Sequence, residues 1–357
     1  MHVLKVDAVT DPADLLSIES EWSLLCGDCP TGTVFQTPEW LIPWWNHLGG
    51  TGLNLLIIRE RSRLVGLAPF FIWKPATGGR QLLFIGTGIS DYMDILVAPG
   101  FEKAGVEALI GHLIRHAHRY DSCRLNELRP ESPLLWPKFP ENMAAFSSES
   151  GVCPVLDLPE SVGDFHFKLP PRLRRTIRGF QKKPEYTGAK IEEAHSGNLE
   201  EILERLFTLH RLEWESRKAE GMLSSRRIQA FHKETASIML SRGRLRLYGL
   251  RINGRVEAAL YAFHYKNRVY AYLGGFNPKL ANVSPGSILI AHAIEQAIDL
   301  GAAEFDFLRG GERYKYSWGA KDRKNYSVSF EPADLHGPER DEIDGKVHRL
   351  RRLRLVL

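Results

Sequence analysis

Apolar and polar positions along the chain predict a series of elements that occurs twice in the same order. In each half, two apolar runs joined by a polar turn predict an antiparallel hairpin, and further on a segment with helical spacing leads into another strand. Asn253–Gly254, between the two runs of the second half, is a strong signal for a tight turn. The corresponding segments are 53–59 with 245–251, 63–66 with 255–258, 101–119 with 284–300, and 124–130 with 304–310.

The repeated order predicts the fold class. Leu53 and Arg59 of the first hairpin correspond to Leu245 and Arg251 of the second. A unit of helices, a hairpin, a further strand, a helix and a strand is an α+β arrangement rather than a doubly wound parallel sheet. We therefore predict two tandem units, each a mixed, mostly antiparallel sheet flanked by helices. The predicted divisions are 1–160, 161–335 with a linking basic helix, and a basic tail at 336–357.

The strand at 303–308 continues into the stretch that is richest in candidate chemistry. Gly310–Gly311 interrupts the strand. The next five residues, Glu312–Tyr316, comprise one acidic residue, two positively charged residues and two tyrosines. The corresponding strand of the first half is followed by a proline-rich segment, and we interpret 130–151 as a loop. Because loops at strand ends commonly carry function, the second unit is predicted to hold the active site. The alternative is a structural corner of ion pairs.

Three other segments allow two interpretations each. The tryptophans Trp40, Trp44 and Trp45 follow a helix start at Thr37–Pro38 and form either core or an inter-domain seam on one interpretation, or a binding platform on the other. The pair Asp91–Tyr92 after a glycine-rich turn either lines a cleft or caps the turn. The basic segment 168–183 either binds the phosphates of a nucleotide cofactor, a tRNA or a membrane surface, or is a solvated helix whose apolar residues pack inward.

Composition limits the remaining possibilities. The chain has 357 residues, 43% hydrophobic and 25% charged, which suits two soluble domains, and a net charge of +4 is too small to indicate nucleic acid by itself. Among four cysteines, only Cys26 and Cys29 are closely spaced, so we expect no metal. We expect no transmembrane segment, and the start of the chain lacks a secretory pattern, so a cytoplasmic location is predicted.

Several motifs, taken in order, resemble a known family. The chain is similar to the GNAT acyltransferase superfamily, in particular to the tandem-GNAT group related to FemABX proteins and to CelD-type acetyltransferases linked to polysaccharide biosynthesis. The resemblance covers nearly the whole chain to about residue 330 and is most specific in its last motif. The motifs are Phe35–Trp40 with Trp44–Trp45, Ser90–Asp94, Leu169–Arg175, Ser284–Gly286 and Phe305–Gly319.

The resemblance implies transfer of an acyl group from a thioester, usually acetyl-CoA, to an amine. The acceptor would be a small molecule such as an amino sugar or another cell-envelope or polysaccharide precursor. In this fold the pantetheine lies where two central strands separate, and backbone N–H groups at the next helix start hold the pyrophosphate. The full Arg/Gln-x-x-Gly-x-Gly/Ala loop is absent here, and Ser284 can also be a simple helix cap. The implied cofactor-binding residues are Tyr272, Ser284, Pro285, Gly286 and Ser287.

Aminolysis of a thioester requires a base for the amine and a proton for the thiolate. Asp306 or Glu312 is the predicted base, and Tyr314 or Tyr316 the predicted acid. Arg309 or Lys315 would hold an anionic group. The predicted substrate-binding residues are Asp91, Tyr92, Tyr316 and Trp318. An aminoacyl-tRNA donor, as in FemABX-like transferases, is a less favoured alternative, and a non-catalytic interaction protein is another.

Overall fold

The computed structural model describes residues 3–135, 143–183, 186–216 and 221–332. Contacts divide the chain into two compact units. The first unit consists of residues up to Gly151 together with the segment from Lys324 onward, and the second unit is Val152–Arg323. The sequence predicts a division between residues 160 and 161, whereas the contacts divide the chain after Gly151 and assign the segment from Lys324 to the first unit. The predicted tail at 336–357 lies outside the described residues.

The first unit has a mixed sheet flanked by helices. Its strands have the order β1–β2–β3–β4–β6–β13, β5 pairs with β3, and the β4–β6 pair is parallel whereas its other ladders are antiparallel. The elements are β1 (Leu4–Val9), α1 (Glu19–Asp28), α2 (Pro38–Leu48), β2 (Leu53–Glu60), β3 (Arg63–Trp73), β4 (Gln81–Phe84), β5 (Leu96–Val97), α3 (Glu102–Arg115) and β6 (Ser122–Leu128), with parts of β7 (Met143–Asp157) and β13 (Lys321–Pro332).

Helix α2 settles the interpretation of the tryptophan-rich segment. Pro38 is its first residue, as predicted, and Thr37 precedes it in an extended conformation. Trp40 and Trp44 are fully buried, and Trp45 is 5% exposed and packs against Phe71. The tryptophans are therefore core and not an exposed platform.

The prediction of a loop at 130–151 is wrong for its second part. Strand β7 begins at Met143, and its last residues pair with the strand that leads into the candidate site, Val155 with Asp306 and Asp157 with Glu304. The serine- and glutamate-rich composition of 147–150 reflects exposure of these side chains. Polar composition hid the strand because pairing with neighbouring strands outweighs local propensity.

The second unit repeats the architecture. Its strand order is β7–β12–β11–β10–β9–β8, and the β11–β12 pair is parallel whereas its other ladders are antiparallel. The α8 side of the sheet packs in one core that includes Leu260, Val269 and Phe305. The elements are α4 (Val162–Lys168), α5 (Pro171–Arg178), β8 (Lys190–Glu193), α6 (Leu199–Ser216), α7 (Arg226–Ser241), β9 (Leu245–Ile252), β10 (Arg255–Tyr265), β11 (Arg268–Phe276), α8 (Pro285–Asp299), β12 (Glu304–Asp306) and α9 (Arg313–Tyr316).

Corresponding residues of the two hairpins make corresponding contacts. Arg59 forms two hydrogen bonds to Glu21 on α1, and Arg251 forms two to Glu201 on α6. Each arginine also donates to the backbone carbonyl three residues later in its own turn. The predicted turn at Asn253–Gly254 is confirmed, since both residues have positive φ. The α+β fold with two tandem units of the same architecture is therefore confirmed at the level of individual contacts.

Candidate active site

The parallel strands β11 and β12 separate after three paired positions. Arg268 pairs with Glu304, Val269 with Phe305 and Tyr270 with Asp306, and there the ladder ends. Strand β11 continues to Phe276 along β10. The chain after Asp306 follows β7 instead, because Phe307 N donates to Pro154 O at 2.9 Å and Gly310 N to Val152 O at 3.0 Å. The two strands therefore diverge here, and we call the space between residues 271–276 and 307–310 the cleft.

Asp306 holds the turn on one side of this cleft. Its side chain is fully buried, Oδ1 accepts a hydrogen bond from Leu308 N at 2.8 Å, and Oδ2 lies 3.3 Å from Arg323 Nη1. Leu308 has φ of +57°, a conformation that costs energy for a branched side chain and needs such support. Because both carboxylate oxygens are engaged and the side chain has no exposed surface, this geometry favours a positioning role over the predicted role of general base.

Lys315 also stabilises the turn at residues 308–310. Its ammonium donates to the carbonyl oxygens of Leu308, Arg309 and Gly310 at 2.9–3.0 Å and lies 2.9 Å from Glu312 Oε2. The side chain is 4% exposed. An ammonium has three hydrogens to donate, and all are directed at protein oxygens. This argues against the predicted role in holding an anionic substrate group and assigns Lys315 to the support of the loop.

The solvent side of the loop presents other side chains of the motif. The Glu312 side chain is 56% exposed and precedes the short helix α9, while Tyr314 is 51% exposed and Arg309 is also exposed. A Cβ atom at Gly310 would lie 2.6 Å from both carboxylate oxygens of Glu312, so only glycine lets the carboxylate reach Lys315 here. Of the two predicted bases, Glu312 is therefore the accessible one.

The contacts of Tyr316 and Trp318 favour structural roles for both residues. The Tyr316 hydroxyl donates to Asp322 Oδ1 at 2.7 Å, and this hydrogen bond raises the pKa of Tyr316. Trp318 is 5% exposed and stacks on Phe165 in the core, with ring centroids 6.3 Å apart. The large apolar surface of Trp318 explains its burial, so we assign it to the core and not to substrate binding.

The start of helix α8 lies at the end of β11. A Cβ atom at Gly286 would be 3.6 Å from the ring of Phe276, the last residue of β11. Ser284 has φ of +60°, its carbonyl accepts from Ser287 N and Ile288 N, and its hydroxyl makes no capping bond. Pro285 occupies the first helical position and has no N–H to offer. Backbone N–H groups and the dipole of this 15-residue helix make its start suitable for an anion.

Tyr272 lies among aromatic side chains that the sequence analysis did not single out. It is 8% exposed on β11, and its ring centroid is 5.6 Å from His232 on α7 and 5.9 Å from Tyr261 on β10. Burial and the neighbouring His210 lower the pKa of His232 to about 3, so this imidazole is neutral. His232 occupies a buried position of α7 next to Phe231, and that helical spacing was the available signal.

Asp91 and Tyr92 belong to the first unit and are buried there. The Asp91 carbonyl accepts a hydrogen bond from Asn325 Nδ2 at 3.1 Å, and the Arg129 guanidinium lies 5.6 Å from the centroid of the Tyr92 ring. Their exposed fractions are 8% and 1%. These contacts favour the turn-and-core interpretation of the pair over substrate binding.

Buried acidic groups in the same unit are also held by hydrogen bonds. Asp94 Oδ1 accepts from Ser132 Oγ and Ile95 N, and burial raises the pKa of Asp94 to about 7. The described residues contain no group of three or more His, Cys, Asp or Glu that could hold a metal ion. None of the helices in the described ranges combines the length and apolar character that crossing a membrane requires.

Comparison with known proteins agrees with this geometry. The sequence from 171 to 316 matches the acetyltransferase (GNAT) domain family. None of the curated proteins compared matches the chain. Solved structures with a similar fold include FemX, with 10% identity, a TM-score of 0.64, and coverage of 92% of this chain and 98% of that one.

Two other solved structures are similar over most of their length. A conserved protein of unknown function from Bacteroides thetaiotaomicron has 13% identity and a TM-score of 0.60, with 93% of this chain and 100% of that chain covered. L-PGS from Bacillus licheniformis has 14% identity and a TM-score of 0.53, with 84% and 93% covered. At these identities the likeness concerns the fold.

Proposed function

Because residues 171–316 form a domain of the acetyltransferase (GNAT) family, we propose that this protein is an acyl-CoA-dependent N-acyltransferase. The coarser activity, acyl transfer, follows from the family. We propose acetyl-CoA as the donor and a small amine as the acceptor, such as an amino sugar or another precursor of the cell envelope or of a polysaccharide.

The separation of β11 from β12 is the observation that carries this proposal. Beyond Tyr270 and Asp306, the facing edges of the two strands no longer pair with each other. An extended ligand with amide groups can hydrogen-bond to such strand edges, and pantetheine has two amides. The start of α8 beside Phe276 places N–H groups at one end of the cleft for the pyrophosphate.

We assign the chemistry to the accessible side chains of the loop. The amine nitrogen attacks the thioester carbonyl, the carbon–sulfur bond breaks, and the amine loses one proton while the thiolate gains one. Glu312 is the proposed base and Tyr314 the proposed acid, since both are exposed beside the cleft wall. Asp306 and Lys315 position the backbone that carries these groups. Arg309, exposed on the same turn, is proposed to contact an anionic part of the acceptor.

Calorimetric titration of the full chain with acetyl-CoA tests the donor. We expect a single site with a micromolar Kd and no binding of free acetate. Absence of binding by a folded protein would contradict the proposal. An aminoacyl-tRNA donor is the second candidate, supported by the exposed cations of α5, and binding of uncharged tRNA with no binding of acetyl-CoA would favour it.

A further inference from the structure

The segment 168–183 concentrates positive charge. It contains seven lysines and arginines and no acidic residue. The positive charge of this segment is therefore larger than the net charge of +4 of the whole chain. Helix α5 forms its centre, and Arg172, Arg175 and Arg178 are exposed there. Such a concentration either is solvated or binds an anion.

Within the described residues, Arg178 and the lysines of 182–183 have no acidic partner, unlike several other arginines of the second unit. Arg251, Arg268 and Arg323 each form ion pairs with glutamates. Within the described ranges, no ion pair or side-chain hydrogen bond involves Arg178 or the lysines of 182–183. Ion pairs within the fold therefore do not explain why Arg178 and the lysines of 182–183 are positively charged residues.

Packing fixes the direction in which the charges point. Leu173, Ile177 and Phe180, at helical spacing, pack against the core of the second unit. The exposed arginines occupy the opposite side, so the helix is anchored by its apolar side and leaves its basic side to solvent. The segment is thus a fixed array and not a loose chain.

Contacts at both ends show that the segment runs antiparallel to α8. Before α5, His166 Nε2 lies 2.9 Å from Glu295 Oε1 in the later part of α8. After α5, the Tyr186 hydroxyl donates to Val283 O at 2.9 Å, directly before the start of α8. The later end of the basic segment therefore lies beside the start of that helix.

The link between the basic residues and the start of α8 is short. Tyr186 N donates to Lys183 O at 3.0 Å, and the rings of Phe180 and Tyr186 lie 4.6 Å apart. Tyr186 thus connects the Lys183 backbone, through its own backbone N–H, to Val283, the residue before Ser284, through its hydroxyl. Within the basic segment, Lys182 and Lys183 are the cations closest in sequence to this anchor, and the Lys183 backbone contacts it directly.

We infer that Arg178, Lys182 and Lys183 bind the 3′-phosphate of the CoA nucleotide while the start of α8 binds the pyrophosphate. This inference rests on the proposed function. A helix start supplies about half an elementary charge, which does not balance three phosphate groups. Lysine and arginine side chains supply full charges and form strong hydrogen bonds to phosphate oxygens.

Comparison of CoA with dephospho-CoA, which lacks only the 3′-phosphate, tests the inference by calorimetry on the full chain. Wild-type protein should bind CoA about 10–100-fold more tightly. The variant R178Q/K182Q/K183Q should lose this preference and bind dephospho-CoA as wild type does, which also shows that it is folded. The control R172Q/R175Q, with the same helix changed at its other end, should keep the preference. Single K182Q replaces the triple variant if the latter does not fold.

The outcomes separate the inference from the proposed function. Equal affinity of wild type for both ligands would overturn the inference and leave the acyl-CoA site intact. No affinity for either ligand would overturn the proposed function and the inference with it. Retention of the preference by the triple variant, or its equal loss in the control, would overturn the assignment to residues 178–183.

Discussion

Tyr270 and Asp306 form the last paired position between β11 and β12, and the two strands diverge directly after them. Divergence has a local cause: Asp306 stabilises the left-handed turn at Leu308, and Lys315 binds the carbonyls that follow. The chain thereby stays with β7 instead of returning to β11. The cleft is thus a consequence of a few buried polar contacts, and these contacts can be tested separately from the chemistry.

Removing the ammonium of Lys315 should destabilise the fold. In Lys315→Met, three backbone carbonyls lose a buried donor, and we expect the free energy of unfolding to fall by about 2–4 kcal/mol. Urea denaturation measures this change. Lys321→Met is the matched control, because Lys321 is 83% exposed and its variant should stay within about 0.5 kcal/mol of wild type. Equal stability of the two variants would show that the buried contacts contribute little.

Changing Glu312 should affect catalysis more than stability. Glu312→Gln removes the proposed base from an exposed position, while Lys315 keeps its three carbonyl partners. We expect kcat to fall about 10²–10⁴-fold with little change in the Kd for acetyl-CoA. Glu200→Gln, on the exposed surface of α6, is the control and should keep wild-type kcat. Full activity of Glu312→Gln would remove this residue from the mechanism.

The raised pKa of Asp94 predicts that the free energy of unfolding depends on pH. Burial raises the pKa of Asp94 in the folded state to about 7, against about 3.9 when unfolded. Because the folded pKa of an acid is raised, its stabilising contribution is complete below about pH 3.9 and is lost as the pH rises through about 7, with a slope of up to about 1.4 kcal/mol per pH unit. Chemical denaturation between pH 5 and 7 measures the slope.

The variant Asp94→Asn isolates this contribution. It retains the oxygen that accepts from Ser132 and Ile95 but cannot ionise, so the slope between pH 5 and 7 should become smaller. Asp14→Asn, at an exposed position, should leave the slope unchanged. If Asp94→Asn and wild type showed the same slope, another group would be responsible.

The repeated arginines predict equivalent losses in the two units. Arg59 and Arg251 each bind a glutamate bidentately, and these hydrogen bonds lower the pKa of Glu21 and of Glu201. A lowered pKa stabilises the fold above the unfolded pKa, and this contribution is lost as the pH falls. Arg251→Lys should cost about 0.5–1 kcal/mol at neutral pH by urea denaturation, and exposed Arg255→Lys should cost less. Arg59→Lys should cost about as much as Arg251→Lys, and losses that differ by more than about 0.5 kcal/mol between these two variants would contradict the equivalence.

The sequence predicted the repeat because its signals are local. Hydrophobic spacing and the Asn253–Gly254 turn act within a few residues, and the correspondence of Arg59 with Arg251 was visible in the alignment of the two hairpins. Fold class and the location of the chemistry-bearing motif could be predicted in this way.

Side-chain roles within the motif could not be predicted, because they depend on where distant backbone groups turn. Lys315 is buried only since three carbonyls point at it, and Trp318 is core only because Phe165 lies against it. The same reason applies to β7, whose polar sequence gave no indication of its partners. The burial of His232 could have been predicted from its position in the helical pattern of α7. Its contacts with Tyr261 on β10 and Tyr272 on β11 could not.

A crystal structure of the full chain with CoA bound tests the central claim most directly. We predict density for pantetheine between residues 271–276 of β11 and residues 307–310, with pyrophosphate oxygens at the N–H group of Gly286 at the start of α8. CoA bound elsewhere on the protein, with this cleft closed by side chains, would contradict the account.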